Sequence, residues 1–223
     1  MELAGADRPD RRDMASSGPA EAPGCRRALE ELIGLTRPDR ARELADRLFT
    51  RFGSLGGALA ACPAERIELL DHAMDVERTF RCFQRVVEQV LRAPLAERPI
   101  LSSDRTVHAY LRGKIAYERA EHFCVLFLNA DNELIADEIM GVGSVSAVRV
   151  WPREILKRCL ELDATAILLA HNHPSGSPVP SRADRDLTET IANAARCFGI
   201  VVHDHLVVAR RGILSFREVG WLK

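Results

Sequence analysis

The sequence predicts an α/β domain with helices packed on a central sheet, preceded by a small all-helical region. Three observations carry this reading. Residues 25–92 place apolar side chains at three-to-four spacing, the period of a helix with one buried face. Beyond residue 99, short continuous apolar runs alternate with helical stretches, the pattern of strands and helices sharing one core. Ala93-Pro94 to Pro99 reads as a linker between the two parts. At 223 residues, one large domain and two small ones are both open.

Residues 1–24 are rich in Ala, Gly, Pro and Ser without apolar periodicity and read as a disordered tail. Residues 25–98 form the helical region. Leu29, Leu32 and Ile33, then Ala41, Leu44, Ala45, Leu48 and Phe49, mark its first helices. Arg51-Phe-Gly-Ser-Leu-Gly-Gly57 breaks the pattern, which resumes from Ile67 to Leu91. Residues 99–223 form the mixed part. Asp104 to Arg119 reads as a helix, and Phe123 to Leu128 as a buried strand. A turn at Asn129-Ala-Asp-Asn132 leads into Glu133-Leu-Ile-Ala136. Pro152 opens a helix to about Leu162, since its missing N–H costs nothing in a first turn. Ala164 to Ala170 is a second buried strand and Ser181 to Phe198 a further helix. Ile200 to Val208 and Ile213 to Phe216 form a last pair of strands.

Composition narrows the function. The chain is 47% hydrophobic and 28% charged, enough to fill a core, which excludes a wholly disordered chain. No apolar run approaches the roughly 18 residues that a membrane-spanning helix needs. No signal-peptide pattern opens the chain, so a soluble cytoplasmic protein is expected. Net charge is −1, without the basic excess that phosphate neutralisation by a nucleic-acid binder calls for. Six cysteines stand far apart with no C-x-x-C pair, which disfavours a disulfide scaffold or an all-cysteine zinc site.

The chemistry concentrates between Leu169 and Asp184. His171 and His173, two apart at the end of an apolar strand, point to one face. Pro174, Gly176, Pro178 and Pro180 stiffen the loop after them, and Asp184 falls in the first turn of the next helix. Two nitrogens and one carboxylate leave a fourth tetrahedral position open, the arrangement of a catalytic zinc. Spacing alone also allows ordinary histidines. Ser181 and Asp184 form a Ser-x-x-Asp pattern that fits a capping box, a role compatible with ligation.

His171-x-His173, Ser181 and Asp184 match the JAMM signature of MPN-type zinc metallohydrolases. With Pro152-Arg-Glu-Ile155 upstream and Asp204-His205-Leu206 downstream, the string His171-Asn-His-Pro-Ser-Gly176 resembles the RadC-like (UPF0758) branch. The resemblance covers roughly residues 99–223. It implies an MPN domain with a central mixed sheet, a Zn²⁺ ion held by His171, His173 and Asp184, and hydrolysis of an amide or isopeptide bond in a protein or peptide substrate. In such enzymes a glutamate at the head of an apolar strand is the general acid/base; that place belongs here to Glu121, with Glu138 as its rival. Zinc would bring the pKa of its water to about 7, and Glu121 would take the proton and pass it to the leaving amine. Ser181 would donate a hydrogen bond to the oxyanion. His203 and His205 alternate on an expected strand and are open as supporting or rival ligands; His72, His108 and His122 carry no assigned role.

The helical region resembles the helix-hairpin-helix segment that precedes RadC-type MPN domains, through Leu44-Ala-Asp-Arg-Leu-Phe-Thr-Arg-Phe-Gly-Ser-Leu55. Such hairpins grip DNA phosphates through a Gly-x-Gly turn. Here the corresponding stretch, Ile67-Glu-Leu-Leu-Asp-His-Ala-Met-Asp75, has no glycine, so the hairpin is degenerate. Two alternatives to the hydrolase stand beside it: a DNA-associated repair or recombination accessory protein, and a non-catalytic MPN scaffold for protein partners.

Overall fold

A computed structural model describes residues 24–143 and 150–222. All of the expected tail except Gly24 lies outside the described residues; Gly24 itself opens the first helix. Five helices come first: α1 (Gly24–Gly34), α2 (Ala41–Phe52), α3 (Leu55–Ala60), α4 (Pro63–Leu69) and α5 (Met74–Arg92). Their inward faces supply Leu29, Ile33, Leu44, Leu48, Val76 and Phe80, which bury one another in a core of their own. Arg66 is buried there as well. Its guanidinium pairs with Glu77 at 2.8 Å and donates to the carbonyls of Ala58, Leu59 and Ala61, which the end of α3 leaves without helical partners.

The expected continuous stretch from Ile67 to Leu91 is interrupted. After α4 the chain turns through Asp71 and His72, at φ 51° and 61°, and α5 starts afresh at Met74. Left-handed residues end a helix, and Asp and His are among the side chains that tolerate this region. The Asp71 carboxylate is taken up by Arg40 at 2.6 Å and Arg47 at 2.9 Å, and Arg37 pairs with Asp75 at 2.8 Å. These arginines around the turn are therefore already matched to carboxylates.

The second part contains α6 (Arg105–Ile115), β1 (His122–Leu128), β2 (Leu134–Val142), α7 (Pro152–Glu161), β3 (Ala166–Asn172), α8 (Arg182–Arg196), β4 (Val201–Ala209) and β5 (Gly212–Ser215). One mixed sheet runs in the order β2-β1-β3-β4-β5. β3 and β4 are parallel and joined by α8, while the other neighbours are antiparallel. Alternate residues of β1 and β3 feed two cores. Cys124, Leu126, Leu128, Leu168 and Ala170 face α6, and Phe123, Val125, Phe127, Ile167 and Leu169 face α7 and α8. A strand covered on both sides must be apolar throughout, which is why both read as unbroken apolar runs.

The expected linker is short and ordered. A 3₁₀ turn spans Ala93–Leu95, and Leu95 is 1% exposed within the core beneath α6. Arg92 pairs with Asp137 at 2.8 Å, and Lys114 reaches both Asp137 and Glu88. Among the described residues no helix is long and apolar enough to cross a membrane.

Candidate metal centre

His171 is the penultimate residue of β3, opposite Phe123 on β1 and Val207 on β4. His173 lies just past the strand, where its amide still bonds the Val208 carbonyl at 3.1 Å. Strand alternation thus sends both imidazoles to the α7–α8 side and Asn172 between them to the α6 side. The loop then folds back on itself: the Gly176 amide bonds the His173 carbonyl at 2.9 Å, with Gly176 at φ 82°. From the β4–β5 turn, Arg210 donates to the Pro174 carbonyl at 3.1 Å. A Cβ at Gly176 would approach the Arg210 guanidinium to 3.3 Å, so glycine suits both the backbone and the close approach.

α8 delivers the carboxylate. Ser181 caps the helix: its Oγ accepts from the Asp184 amide at 3.2 Å, and its own amide donates to Asp184 Oδ2 at 2.6 Å. The Ser181 hydroxyl also donates to Oδ2, at 2.7 Å. The expected capping box is therefore present, and it aims Asp184 at the histidines. His171 Nε2 lies 3.5 Å from Oδ1 and His173 Nε2 3.5 Å from Oδ2. The two Nε2 atoms are 3.0 Å apart.

Glu121, in the turn between α6 and β1, is buried with its Oε1 3.9 Å from His171 Nε2. Glu121, His171, His173 and Asp184 all place a donor atom within 4.8 Å of one another, a cluster that could hold a metal ion. Glu138, on β2, lies outside it, held by Arg158 at 2.9 and 2.7 Å.

Burial is the main influence on Glu121 and raises its pKa, against the opposing pull of His171. Burial also opposes ionisation of Asp184, but the imidazoles of His171 and His173 facing it outweigh this and hold the carboxyl far below its usual range. The facing Asp184 carboxylate raises the pKa of His173. One buried carboxyl is thus biased toward its proton beside another held as an anion, the kind of asymmetry that lets two carboxyls take different chemical roles.

Three supporting residues escaped the sequence reading or were left open by it. Asn172 is fully buried and straps the Glu121 turn: its Nδ2 donates to the carbonyls of Glu118 and Ala120, and its Oδ1 accepts from the His122 amide at 2.6 Å. His205 Nε2 meets His171 Nδ1 at 2.8 Å, behind the cluster. Thr188 Oγ1 meets His205 Nδ1 at 2.6 Å. His203 is elsewhere, bonded to Asn132 at 2.5 Å.

Residues 101–221 match the family model described as a RadC-like JAB domain. The chain is also 42% identical over 213 residues to a UPF0758 protein of Rhodobacter capsulatus, an alignment covering 95% of this chain and 99% of that relative.

Proposed function

Because the chain belongs to the RadC-like JAB-domain family, we propose that it is a zinc-dependent metallohydrolase of the JAMM type that cleaves an amide or isopeptide bond in a protein or peptide. The observation that carries the proposal is the convergence of two imidazole nitrogens and a carboxylate beside a buried glutamate.

The donor set fits the ion. Zinc–nitrogen bonds of about 2.0–2.1 Å at tetrahedral angles put neighbouring donor atoms roughly 3.3 Å apart. The separations here are 3.0 Å between the two nitrogens and 3.5 Å from each to Asp184. His173 Nδ1 lies 3.0 Å from the Ser177 carbonyl, which can only accept, so neutral His173 keeps its proton there and offers a bare Nε2. Two histidines and one carboxylate make an open, catalytic kind of site. Bound there, zinc would act as a Lewis acid on the scissile carbonyl and acidify water.

The remaining work falls to side chains. Glu121, with its raised pKa and its place beside the ligands, takes the proton of the attacking water and delivers it to the leaving amine. Ser181 holds Asp184 in place; to stabilise an oxyanion it would redirect the one hydroxyl proton that it now gives to Oδ2. The six cysteines are all free, in keeping with a cytoplasmic setting.

The test is a panel of peptides and isopeptide-linked conjugates incubated with zinc-loaded protein. The proposal expects cleavage of at least one class, abolished by a chelator and restored by zinc. Fully zinc-loaded protein that cleaves none of them would favour the non-catalytic scaffold instead.

A further inference from the structure

We infer that His205 and Thr188 are positioning residues for the metal site: they form a proton-ordered chain that fixes His171 with its proton on Nδ1 and a bare Nε2 toward the ligand cluster. The inference rests on the proposed metal site and adds what makes one of its ligands competent.

The chain is ordered by counting protons. Thr188 Oγ1 is 2.5 Å from the backbone carbonyl of Asp184, one helical turn back. A carbonyl cannot donate, so the single hydroxyl proton of Thr188 must lie in that contact. Thr188 then has only lone pairs for His205 Nδ1, 2.6 Å away, and the proton between them belongs to the ring nitrogen. With its proton on Nδ1, neutral His205 presents Nε2 as an acceptor. The 2.8 Å contact to His171 Nδ1 therefore takes its proton from His171. With both rings neutral, each of the three short contacts receives one proton, and only this order supplies all three. The outcome is a bare Nε2 on His171, 3.0 Å from His173 Nε2 and 3.5 Å from Asp184 Oδ1.

Packing keeps the chain in line. His205 and Thr188 are both buried. Phe123 stacks parallel to His171, with ring centroids 6.3 Å apart, and meets His205 edge-on at 5.4 Å. Phe216 covers His205 at 4.8 Å. The chain also closes a loop, because it starts from the backbone of one proposed ligand, Asp184, and ends on another, His171.

Thr188 reaches the cluster only through His205, so its side chain offers a clean test. Valine keeps the volume and removes the hydroxyl. His205 is then free to carry its proton on Nε2, which pushes the His171 proton onto the nitrogen needed for the metal. Zinc affinity is read by competition with a chromophoric chelator, using zinc alone as the probe. Cobalt absorption spectra report ligand geometry, and circular dichroism reports folding. Thr188→Val should weaken zinc binding by roughly 10–100-fold, the usual effect of losing such support. Thr188→Ser, which keeps the hydroxyl, should bind within about 3-fold of the wild type on that scale. His205→Gln, which keeps a donor and an acceptor, should bind zinc more tightly than His205→Leu and keep a cobalt spectrum closer to the wild type. Wild-type zinc binding with Thr188→Val equal to it would overturn the inference and leave the metal site standing; equal affinities for His205→Gln and His205→Leu would do the same. Wild-type protein that binds no zinc would overturn both.

Discussion

The Glu121 carboxylate stands 3.9 Å from Nε2 of His171, although the two residues are fifty positions apart in the chain. The antiparallel pairing of β1 with β3 brings them together: Phe123 lies opposite His171, so the turn before β1 overhangs the end of β3. Glu138 is on the same polypeptide run but lies on the outer strand β2, bound to Arg158. The register thus sets Glu121 beside the histidines and leaves Glu138 in the middle of an edge strand, away from them.

Glu121→Gln should keep its zinc while the hydrolytic rate falls by roughly 10²–10⁴, the usual contribution of a general acid/base. Glu138→Gln should leave the rate unchanged. Metal analysis and rate measurement on the same samples check this, and a zinc-replete, inactive Glu138→Gln beside an active Glu121→Gln would reverse the assignment.

Asn172→Ala should destabilise the protein. It leaves the carbonyls of Glu118 and Ala120 and the amide of His122 without their partner, and each buried group left unpaired costs about 1–3 kcal/mol. Denaturant unfolding should show a loss within or above that range, with little change in slope. An unchanged midpoint would mean that water replaces the strap at no cost.

Asp137 predicts an acid-labile component. Burial raises its pKa, but hydrogen bonds from Lys114, Tyr110 and Arg92 together bring it below the ordinary carboxylate value. A folded pKa below the unfolded one, near 3.9, gives stability that is present above that value and lost as pH falls through the folded pKa. Asp137→Asn should be less stable at pH 7 and lose less stability than the wild type between pH 5 and pH 3. Parallel curves for the two proteins across those pH values, measured by chemical unfolding, would contradict this.

Leu95 makes the boundary near Pro99 testable. A chain starting at Glu88 keeps Leu91 and Leu95 in the core with α6 and the Arg92–Asp137 pair, whereas one starting at Pro99 loses all three. The longer fragment should be the more stable by at least about 2 kcal/mol, the value of burying one leucine. Equal melting temperatures would show that Leu95 contributes nothing to this core.

How much of this was legible depended on distance along the chain. β1 and β3 could be read directly, because burial on both faces forces an unbroken apolar run. β2 could be read only over its first residues. It is an edge strand, half-exposed, and its Asp137 and Glu138 are compensated by Lys114, Arg92 and Arg158 from other elements. The break at Asp71 and His72 carried no glycine to announce it. In the site, His171, His173, Ser181 and Asp184 were legible because strand alternation and helix capping are local. Asn172 and Thr188 were not, and His205 was left open, since their contacts come from the β1–β3 and β3–β4 pairings and from the placement of α8 over the sheet. Spacing within one segment carries no information about either.

Zinc titration tests the central claim most directly. Purified protein stripped with chelator and reconstituted should bind about one zinc per chain, and His173→Ala should lose most of that affinity, because structural and catalytic zinc sites need at least three protein ligands. Wild-type protein that takes up no stoichiometric zinc, or a His173→Ala variant that binds it as tightly as the wild type, would contradict the assignment of His171, His173 and Asp184 as the metal ligands.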